Sequence, residues 1–266
     1  MSLYTEVHGP ADAEAVLLSS GLGGSAGYWS LQIPALVAAG YRVIAYDQRG
    51  TGRSLQALPD GYRIKHMADD VHAVLEATQT ERCHFVGHAL GGLVGLQLAL
   101  EAPTRLRSLT LINAWSQPNP HSARCFEARL GLLDALGPRA YVEAQPIFLY
   151  PASWCVAHAE QVQAEVEHAC AHFPGAATMK ARIGALRAFD VAQRLATITT
   201  PTLVSTARDD VLVPWTCSQY LAQHLPHATL HTVDHGAHAH NLTAADDFNA
   251  ALLSFLAVQP TAEATP

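Results

Sequence analysis

The feature that most constrains this chain is a strand–turn–helix pattern around residues 82–100. A short apolar run ends in Gly-His-Ala-Leu-Gly at positions 87–91, and an apolar helical pattern follows to Leu100. Glycines two positions before and after a central residue let strand and helix pack closely, while that residue points out at the end of a sheet. Turns of the form G-x-S-x-G present a catalytic nucleophile in this way. The central residue here is Ala89, so a functional account must work without a serine hydroxyl.

Strand and helix patterns alternate on both sides of this turn. The predicted strands are residues 4–8, 15–19, 42–47, 82–86, 106–112, 202–206 and 229–233. An amphipathic run at 64–78 places apolar residues at helical spacing, and a closing helix is predicted at 245–258. Alternating strands and helices predict an α/β protein with a mostly parallel, doubly wound sheet, whose ligands bind at the carboxyl ends of the strands.

The alternation stops in the middle of the chain. Between residues 114 and 190 no strong strand pattern occurs, and helical segments are predicted at about 121–136, 138–145, 155–172 and 176–188. We interpret this region as a helical cap inserted into the sheet domain. The predicted division is 1–113 for the first part of the core, 114–190 for the cap, 191–258 for the second part of the core and 259–266 for a disordered tail.

The composition limits the classes of binding partner and the cellular compartment that we expect. The 266 residues suffice for one large core with an inserted subdomain, and no apolar run approaches the length of a membrane span. A net charge of −7 argues against nucleic acid or an anionic membrane as partner. Five cysteines without a C-x-x-C pair and an N-terminus unlike a signal peptide favour the cytoplasm. A small-molecule substrate is the expected partner, and a homodimer is the commonest default assembly.

Two later segments supply candidates for an acid and a base. Asp210 lies four residues before Pro214 in a turn that follows a buried strand, and Asp209 is the weaker candidate. His238 lies between the last strand and the last helix, with His240 as an adjacent alternative. The order of turn, acid and histidine along the chain is that of an elbow-type hydrolase triad. We therefore expect Asp210 to orient His238, and His238 to face Ala89.

Two backbone N–H groups are candidates for an oxyanion hole. One belongs to Leu90, directly after the central residue of the turn, and the other to Leu22, in the glycine-rich turn after the first long strand. His88 is interpreted as a packed histidine that holds the turn rather than as a base. No metal ion or cofactor is predicted.

With these segments in view, the chain resembles the α/β-hydrolase superfamily and, more narrowly, a family within it that acts in pyrimidine degradation. The resemblance rests on the segments 21–25, 46–52, 86–91, 142–151, 210–214 and 236–239. It implies the α/β-hydrolase fold with an inserted cap and a hydrolase that acts late in uracil breakdown. The implied substrates are carbamate, giving ammonia and carbon dioxide, and aminoacrylate, giving malonic semialdehyde and ammonia. Alanine at position 89 belongs to the pattern of that family, whereas Ala237 stands where glycine is common.

The favoured mechanism follows from the missing hydroxyl. His238, oriented by Asp210, would activate a water molecule held beside Ala89, so that no acyl-enzyme forms. One alternative is a serine esterase or enol-lactonase whose nucleophile has been replaced by alanine. The other is a non-catalytic binding protein that has kept the fold.

Overall fold

The computed structural model describes residues 2–259 and contains one seven-stranded sheet. Its strands are β1 (Thr5–His8), β2 (Ala15–Ser19), β3 (Arg42–Tyr46), β4 (Cys83–His88), β5 (Leu106–Ile112), β6 (Thr202–Ala207) and β7 (Ala228–Val233). The order across the sheet is β1-β3-β2-β4-β5-β6-β7, and β1 alone runs antiparallel to its neighbour. The predicted mostly parallel sheet is confirmed.

Helices cover both faces of the sheet. They are α1 (Gln32–Ala38), α2 (Ile64–Ala77), α3 (Leu90–Glu101), α4 (Pro120–Leu136), α5 (Pro138–Glu143), α6 (Gln145–Leu149), α7 (Ala152–Ala157), α8 (Ala159–Ala171), α9 (Ala176–Arg187), α10 (Trp215–His224), α11 (His240–Thr243) and α12 (Ala245–Ala257). One face of the sheet packs its apolar side chains against α2, α3 and α10, and the other packs against α1 and α12. No helix in the described part of the chain combines the length and apolar character that a bilayer crossing needs.

The chain order reverses direction between β2 and β4, at the centre of the sheet. From β2 the chain proceeds to β3 on one side, and from β4 it proceeds to β5, β6 and β7 on the other. Ser19 at the end of β2 pairs with Gly87 near the end of β4. The loops after these two strands therefore diverge and leave a crevice at the carboxyl edge, where open α/β sheets bind their ligands.

Six helices, α4–α9, occupy residues 120–187, and we call this region the helical insertion. The prediction of a single helix over 155–172 is wrong, because α7 ends at Ala157 and α8 begins at Ala159. The intervening His158 has φ −121° and ψ 34°, which interrupts the helix, although neither proline nor glycine marks the break. On the other side of the sheet, residues 26–29 form a 3-10 turn before α1.

Gln259 is the last residue that the structure describes. The N–H of Gln259 donates to the carbonyl of Leu256, so the predicted disordered tail does not begin at residue 259. Residues 260–266, the rest of that predicted tail, lie outside the described residues. The domain boundaries at 113/114 and 190/191 stay a prediction.

Candidate active site

The turn between β4 and α3 holds Ala89 in a strained conformation. Its φ of 47° and ψ of −109° lie outside the regions that residues with a Cβ normally occupy. Such a conformation costs about 1–3 kcal/mol and persists where the surroundings impose it, often at functional sites. The N–H of Ala89 donates to the carbonyl of Ile112 at 2.8 Å, which ties the turn to the end of β5. The chain thus keeps the geometry of a nucleophile turn around a methyl side chain.

The two residues expected to form an acid–base pair are in contact. Nδ1 of His238 donates to Oδ2 of Asp210 at 2.8 Å, and both side chains are almost fully buried. The other carboxylate oxygen of Asp210 accepts from the N–H groups of Leu212 and Val213, at 2.8 and 2.9 Å. Because a carboxylate can only accept, the neutral form of this imidazole carries its proton on Nδ1 and has a lone pair on Nε2. Within residues 2–259 this Nε2 forms no hydrogen bond, so it is available to a small molecule.

The two alternative residues occupy different positions. Asp209 accepts from the N–H groups of Gly236 and Ala237, and so anchors the loop that carries His238. The ring of His240 lies between the amide of Asn113 and the hydroxyl of Ser205, at 3.1 and 2.8 Å. Burial lowers the pKa of His240 to about 3, so this ring stays neutral and acts as a structural link.

His88 supports His238 through the backbone. Its Nε2 donates to the carbonyl of His238 at 2.9 Å, and its ring stacks on Tyr28 with ring centres 4.9 Å apart. Burial, with a further contribution from the nearby His238, holds the pKa of His88 well below its usual range. A ring that is neutral and already donates through Nε2 fits the predicted packing role.

The expected oxyanion donors are unoccupied. In the described chain neither the N–H of Leu22 nor that of Leu90 donates to any protein oxygen. Leu90 is the first residue of α3, where backbone N–H groups lack partners within the helix and the helix dipole favours negative charge. The carbonyl of Gly21 accepts from the N–H of Gly24 at 3.1 Å, inside the turn. Because the C=O and N–H of a trans peptide point in opposite directions, the N–H of Leu22 points away from the turn.

A buried arginine from the helical insertion fixes the turn that carries Leu22. Arg182 lies on α9 and is wholly buried; its Nε and Nη2 donate to the carbonyl of Leu22 at 3.3 and 3.1 Å. Nη2 also donates to the side chain of Gln48, whose own amide donates to the carbonyl of Ser20 at 2.7 Å. The carbonyls of Ser20 and Leu22, on either side of Gly21, thus both accept from buried side chains that are bonded to each other.

The helical insertion is bonded to all three loops of the site. Ser122 on α4 donates to the carbonyl of Leu212 in the loop of Asp210 at 2.7 Å. The carbonyl of Leu149 at the end of α6 accepts from the N–H of Ala239, next to His238, at 2.9 Å. Arg182 supplies the third bond, to the turn after β2. The insertion is therefore bonded to the loops at the carboxyl edge of the sheet.

Two further residues, Asn113 and Ala237, shape the site, and only Ala237 stood out in the sequence. Asn113, directly after β5, donates to the carbonyl of His238 at 2.6 Å and adopts a positive φ of 46°. Its position at a carboxyl strand end was the available signal. Ala237, where glycine is common, has a φ of 55°, a left-handed conformation that costs a residue with a Cβ about 1–2 kcal/mol.

The candidate site contains the side chains for acid–base chemistry but shows no metal centre. Across residues 2–259, no group of three or more histidine, cysteine, aspartate or glutamate side chains is arranged to hold a metal ion. Its chemical groups are the imidazole of His238 with the buried carboxylate of Asp210, and the backbone N–H groups of Leu22 and Leu90, which are free within the described residues. The side chain at the centre of the elbow is the methyl group of Ala89. Together these groups can move a proton and stabilise negative charge.

Comparison with known proteins identifies the family of this chain. Residues 14–146 match the family described as the alpha/beta hydrolase fold. The protein named "Putative carbamate hydrolase RutD" of Variovorax paradoxus (strain S110) is 69% identical over 257 residues, which cover 97% of each chain. The protein of the same name from Stutzerimonas stutzeri (strain A1501) is 51% identical over 259 residues, again 97% of each chain.

Solved structures share the fold. A hydrolase from Pseudomonas aeruginosa PA01 superimposes with a TM-score of 0.85 at 29% identity, over 95% of this chain and 93% of the other. The enol-lactonase from Burkholderia xenovorans LB400 gives a TM-score of 0.86 over 96% of both chains, and at 24% identity this likeness shows the fold alone. The chain therefore belongs to the α/β-hydrolase family and, within it, to the group of RutD relatives.

Proposed function

We propose that this protein hydrolyses the C–N bond of a small carboxylate, carbamate or aminoacrylate, with water activated by His238 and no covalent intermediate. The geometry that supports the proposal most strongly is the hydrogen-bonded pair of His238 and Asp210, with the ring of His238 centred 4.8 Å from that of His88, the residue before Ala89 in the elbow. Relatives named for carbamate hydrolysis are 69% and 51% identical over nearly the whole chain, and they support the substrate class.

The proposed chemistry begins with a water molecule in the space that a serine hydroxyl would fill. Nε2 of His238 takes a proton from this water as its oxygen adds to the carbon that bears the nitrogen. Asp210 stabilises the imidazolium that forms. With carbamate, the N–H groups of Leu22 and Leu90 stabilise the negative charge that develops on the carboxylate oxygens, which is the role of an oxyanion hole. His238 then returns the proton to the nitrogen, the C–N bond breaks, and ammonia leaves.

The two substrates differ in one step. In carbamate, water adds to the carboxylate carbon, and the products are ammonia and bicarbonate, which dehydrates to carbon dioxide. Aminoacrylate first takes a proton from solvent at carbon 2, so that carbon 3 becomes an iminium carbon that water can attack. Loss of ammonia from carbon 3 then gives malonic semialdehyde. Ammonia is common to both reactions, and the second product distinguishes them.

A site without a nucleophile suffices for substrates of this kind. Serine hydrolases that have lost members of the triad retain about 10³–10⁴-fold acceleration over water, from the oxyanion hole and binding. This corresponds to ~4–5.5 kcal/mol of barrier lowering. Carbamate and aminoacrylate both hydrolyse without an enzyme, so a modest reduction in barrier makes their turnover rapid.

The function is tested by release of ammonia from each compound, generated fresh and compared with an enzyme-free reaction. We expect the protein to raise the rate about 10³-fold or more for one of the two. Assay of bicarbonate and malonic semialdehyde identifies which one. Equal rates with and without protein for both compounds would contradict the proposal and favour a binding protein on the same fold.

A further inference from the structure

The helical insertion contains a second buried arginine, Arg129 on α4, which is only 2% exposed. Its Nη2 donates to the hydroxyl of Tyr141 at 2.8 Å and to Oε1 of Gln145 at 3.3 Å. Its Nε is buried without a hydrogen-bond acceptor. Among residues 2–259 no carboxylate lies within ion-pair distance of this guanidinium. The side chain is therefore a buried cation with donors to spare.

This arrangement is costly for the protein alone. Burial lowers the pKa of Arg129, which means that its surroundings disfavour the charged form. Three aromatic rings offset part of the cost, with the guanidinium carbon 4.9 Å from the ring centre of Tyr141 and 5.6 Å from those of Phe126 and Phe148. A buried charge without a counter-charge still gives up much of its hydration. Groups held at such a cost are frequently ligand-binding groups.

Arg182 provides the contrast within the same insertion. It is buried to the same degree, but its Nε, Nη1 and Nη2 donate to the carbonyls of Leu22 and Arg49 and to the side chain of Gln48. The hydrogen bonds of Arg182 are thus satisfied by the protein. Arg139 and Arg187, which are more exposed, pair with glutamates, and Arg124 faces solvent. Of the two buried arginines of the insertion, Arg129 is the one that lacks, within the described chain, both a carboxylate partner and a full set of acceptors.

The position of Arg129 connects it to the candidate site. Cys125, one helical turn earlier on α4, lies against the carbonyl of Val211, beside Asp210. Phe148, one of the three rings around the guanidinium, precedes Leu149, whose carbonyl accepts from Ala239 beside His238. The elements that surround Arg129 are therefore those that contact the loops of the proposed acid and base.

We propose that Arg129 binds the carboxylate of the substrate. The inference rests on the proposed function, because both candidate substrates are small carboxylates. A guanidinium presents parallel N–H groups that match the two oxygens of a carboxylate and forms short, charge-assisted hydrogen bonds with them. A bound carboxylate supplies the missing counter-charge and takes up the free donors of Arg129. In carbamate the same two oxygens carry the charge that develops during reaction, so Arg129 would share them with the N–H groups of Leu22 and Leu90.

The test uses stable probes that are not turned over: acrylate, which has the carboxylate of aminoacrylate without its nitrogen, and acrylamide, its neutral isostere. Dissociation constants are measured by calorimetry or protein NMR. Wild type is expected to bind acrylate at least tenfold more tightly than acrylamide. Arg129→Met should weaken acrylate binding about 10- to 100-fold, as loss of a charged hydrogen-bonding group predicts, and should leave acrylamide binding unchanged.

Two further variants serve as controls. Arg187→Met removes a half-exposed, ion-paired arginine of the same insertion and should change neither constant. Arg129→Lys keeps the charge without the paired donors, and is expected to weaken acrylate binding several-fold even if Arg129→Met proves unstable. The melting temperature of Arg129→Met should equal or exceed that of wild type, since removing an unpaired buried charge is often neutral or stabilising; a purely structural arginine would lower it.

The inference is wrong if wild type does not prefer acrylate, or if folded Arg129→Met and Arg129→Lys bind it as wild type does. These results are independent of turnover. Ammonia release that depends on His238 alongside unaltered acrylate binding in the Arg129 variants would refute this inference and leave the proposed function intact. Acrylate binding that depends on Arg129 in a protein that releases no ammonia would refute the proposed function instead.

Discussion

Replacement of His238 by alanine is expected to lower the enzyme-dependent release of ammonia by about 10²–10⁴-fold, the usual contribution of general acid–base catalysis. The physical reason is that Nε2 of His238 is available to accept a proton from water, because Nδ1 of the same ring already donates to Asp210. Without the ring, no group within the described site is positioned to take a proton from water and return it to nitrogen. The measurement is the initial rate of ammonia formation from carbamate and from aminoacrylate, each corrected for the enzyme-free rate.

Ala89→Gly is the matched control for this variant. It removes one methyl group from the same site and relieves the strained φ of 47°, but it removes no group that transfers a proton. Its rate should therefore remain close to that of wild type. A folded His238→Ala protein that releases ammonia as fast as wild type would eliminate water activation by this histidine.

Gly91→Ala is expected to prevent stable folding, with a loss of at least about 3 kcal/mol. A methyl group at this position would lie far inside van der Waals contact with the carbonyl oxygen of Ser19 and 2.8 Å from that of Ser20. Both obstacles are backbone atoms at the end of β2, so no side-chain movement can make room. The denaturant midpoint, or the yield of folded protein where none is measurable, provides the readout.

Gly184→Ala is the control for the glycine prediction. Gly184 lies inside α9, and an added methyl group there meets no atom within 4 Å. Because alanine favours the helix over glycine by about 0.8–1 kcal/mol, this variant should be slightly more stable than wild type. Equal stability of the two alanine variants would contradict the close approach of α3 to β2 that defines the elbow.

The parts of the fold that the sequence predicted are those with local signals. Gly87 and Gly91 mark close packing, and the apolar runs on either side of Ala89 give strand and helix their periods, so the elbow was recognisable at once. Asp210 and His238 follow strands that end at the same edge of the sheet. Their 2.8 Å contact was therefore expected although 28 residues separate them.

Other features depend on contacts that no local pattern encodes. The break between α7 and α8 falls at His158, without the proline or glycine that would mark it. Arg129 and Arg182 occupy apolar faces of their helices, three residues after Phe126 and Met179. That placement is unusual for a cation and is a signal in retrospect. The spacing indicates burial of both arginines but does not distinguish them. The structure shows that the donors of Arg182 have acceptors, whereas Arg129 keeps a buried donor without one among the described residues.

The same limit applies to the histidines. Position along the chain made His238 and His240 near equivalents, whereas the structure bonds one to Asp210 and the other to Ser205 and Asn113. Asp209 and Asp210 also differ in their partners. Asp209 accepts from backbone N–H groups of the loop that carries His238, whereas Asp210 accepts from the imidazole of His238. Adjacent residues in a turn point in different directions, and the direction depends on packing across the sheet edge.

The claim that water reacts in place of a serine is tested most directly by ammonia release from Ala89→Ser, measured beside wild type. The new hydroxyl would occupy the space of the water and would have to attack the substrate itself. In carbamate the target is a resonance-stabilised, negatively charged carboxylate, which is a poor acyl acceptor. We therefore expect ammonia release no faster than that of wild type. A marked increase would contradict the account, because it would mean that the elbow works through a nucleophile that this chain has lost.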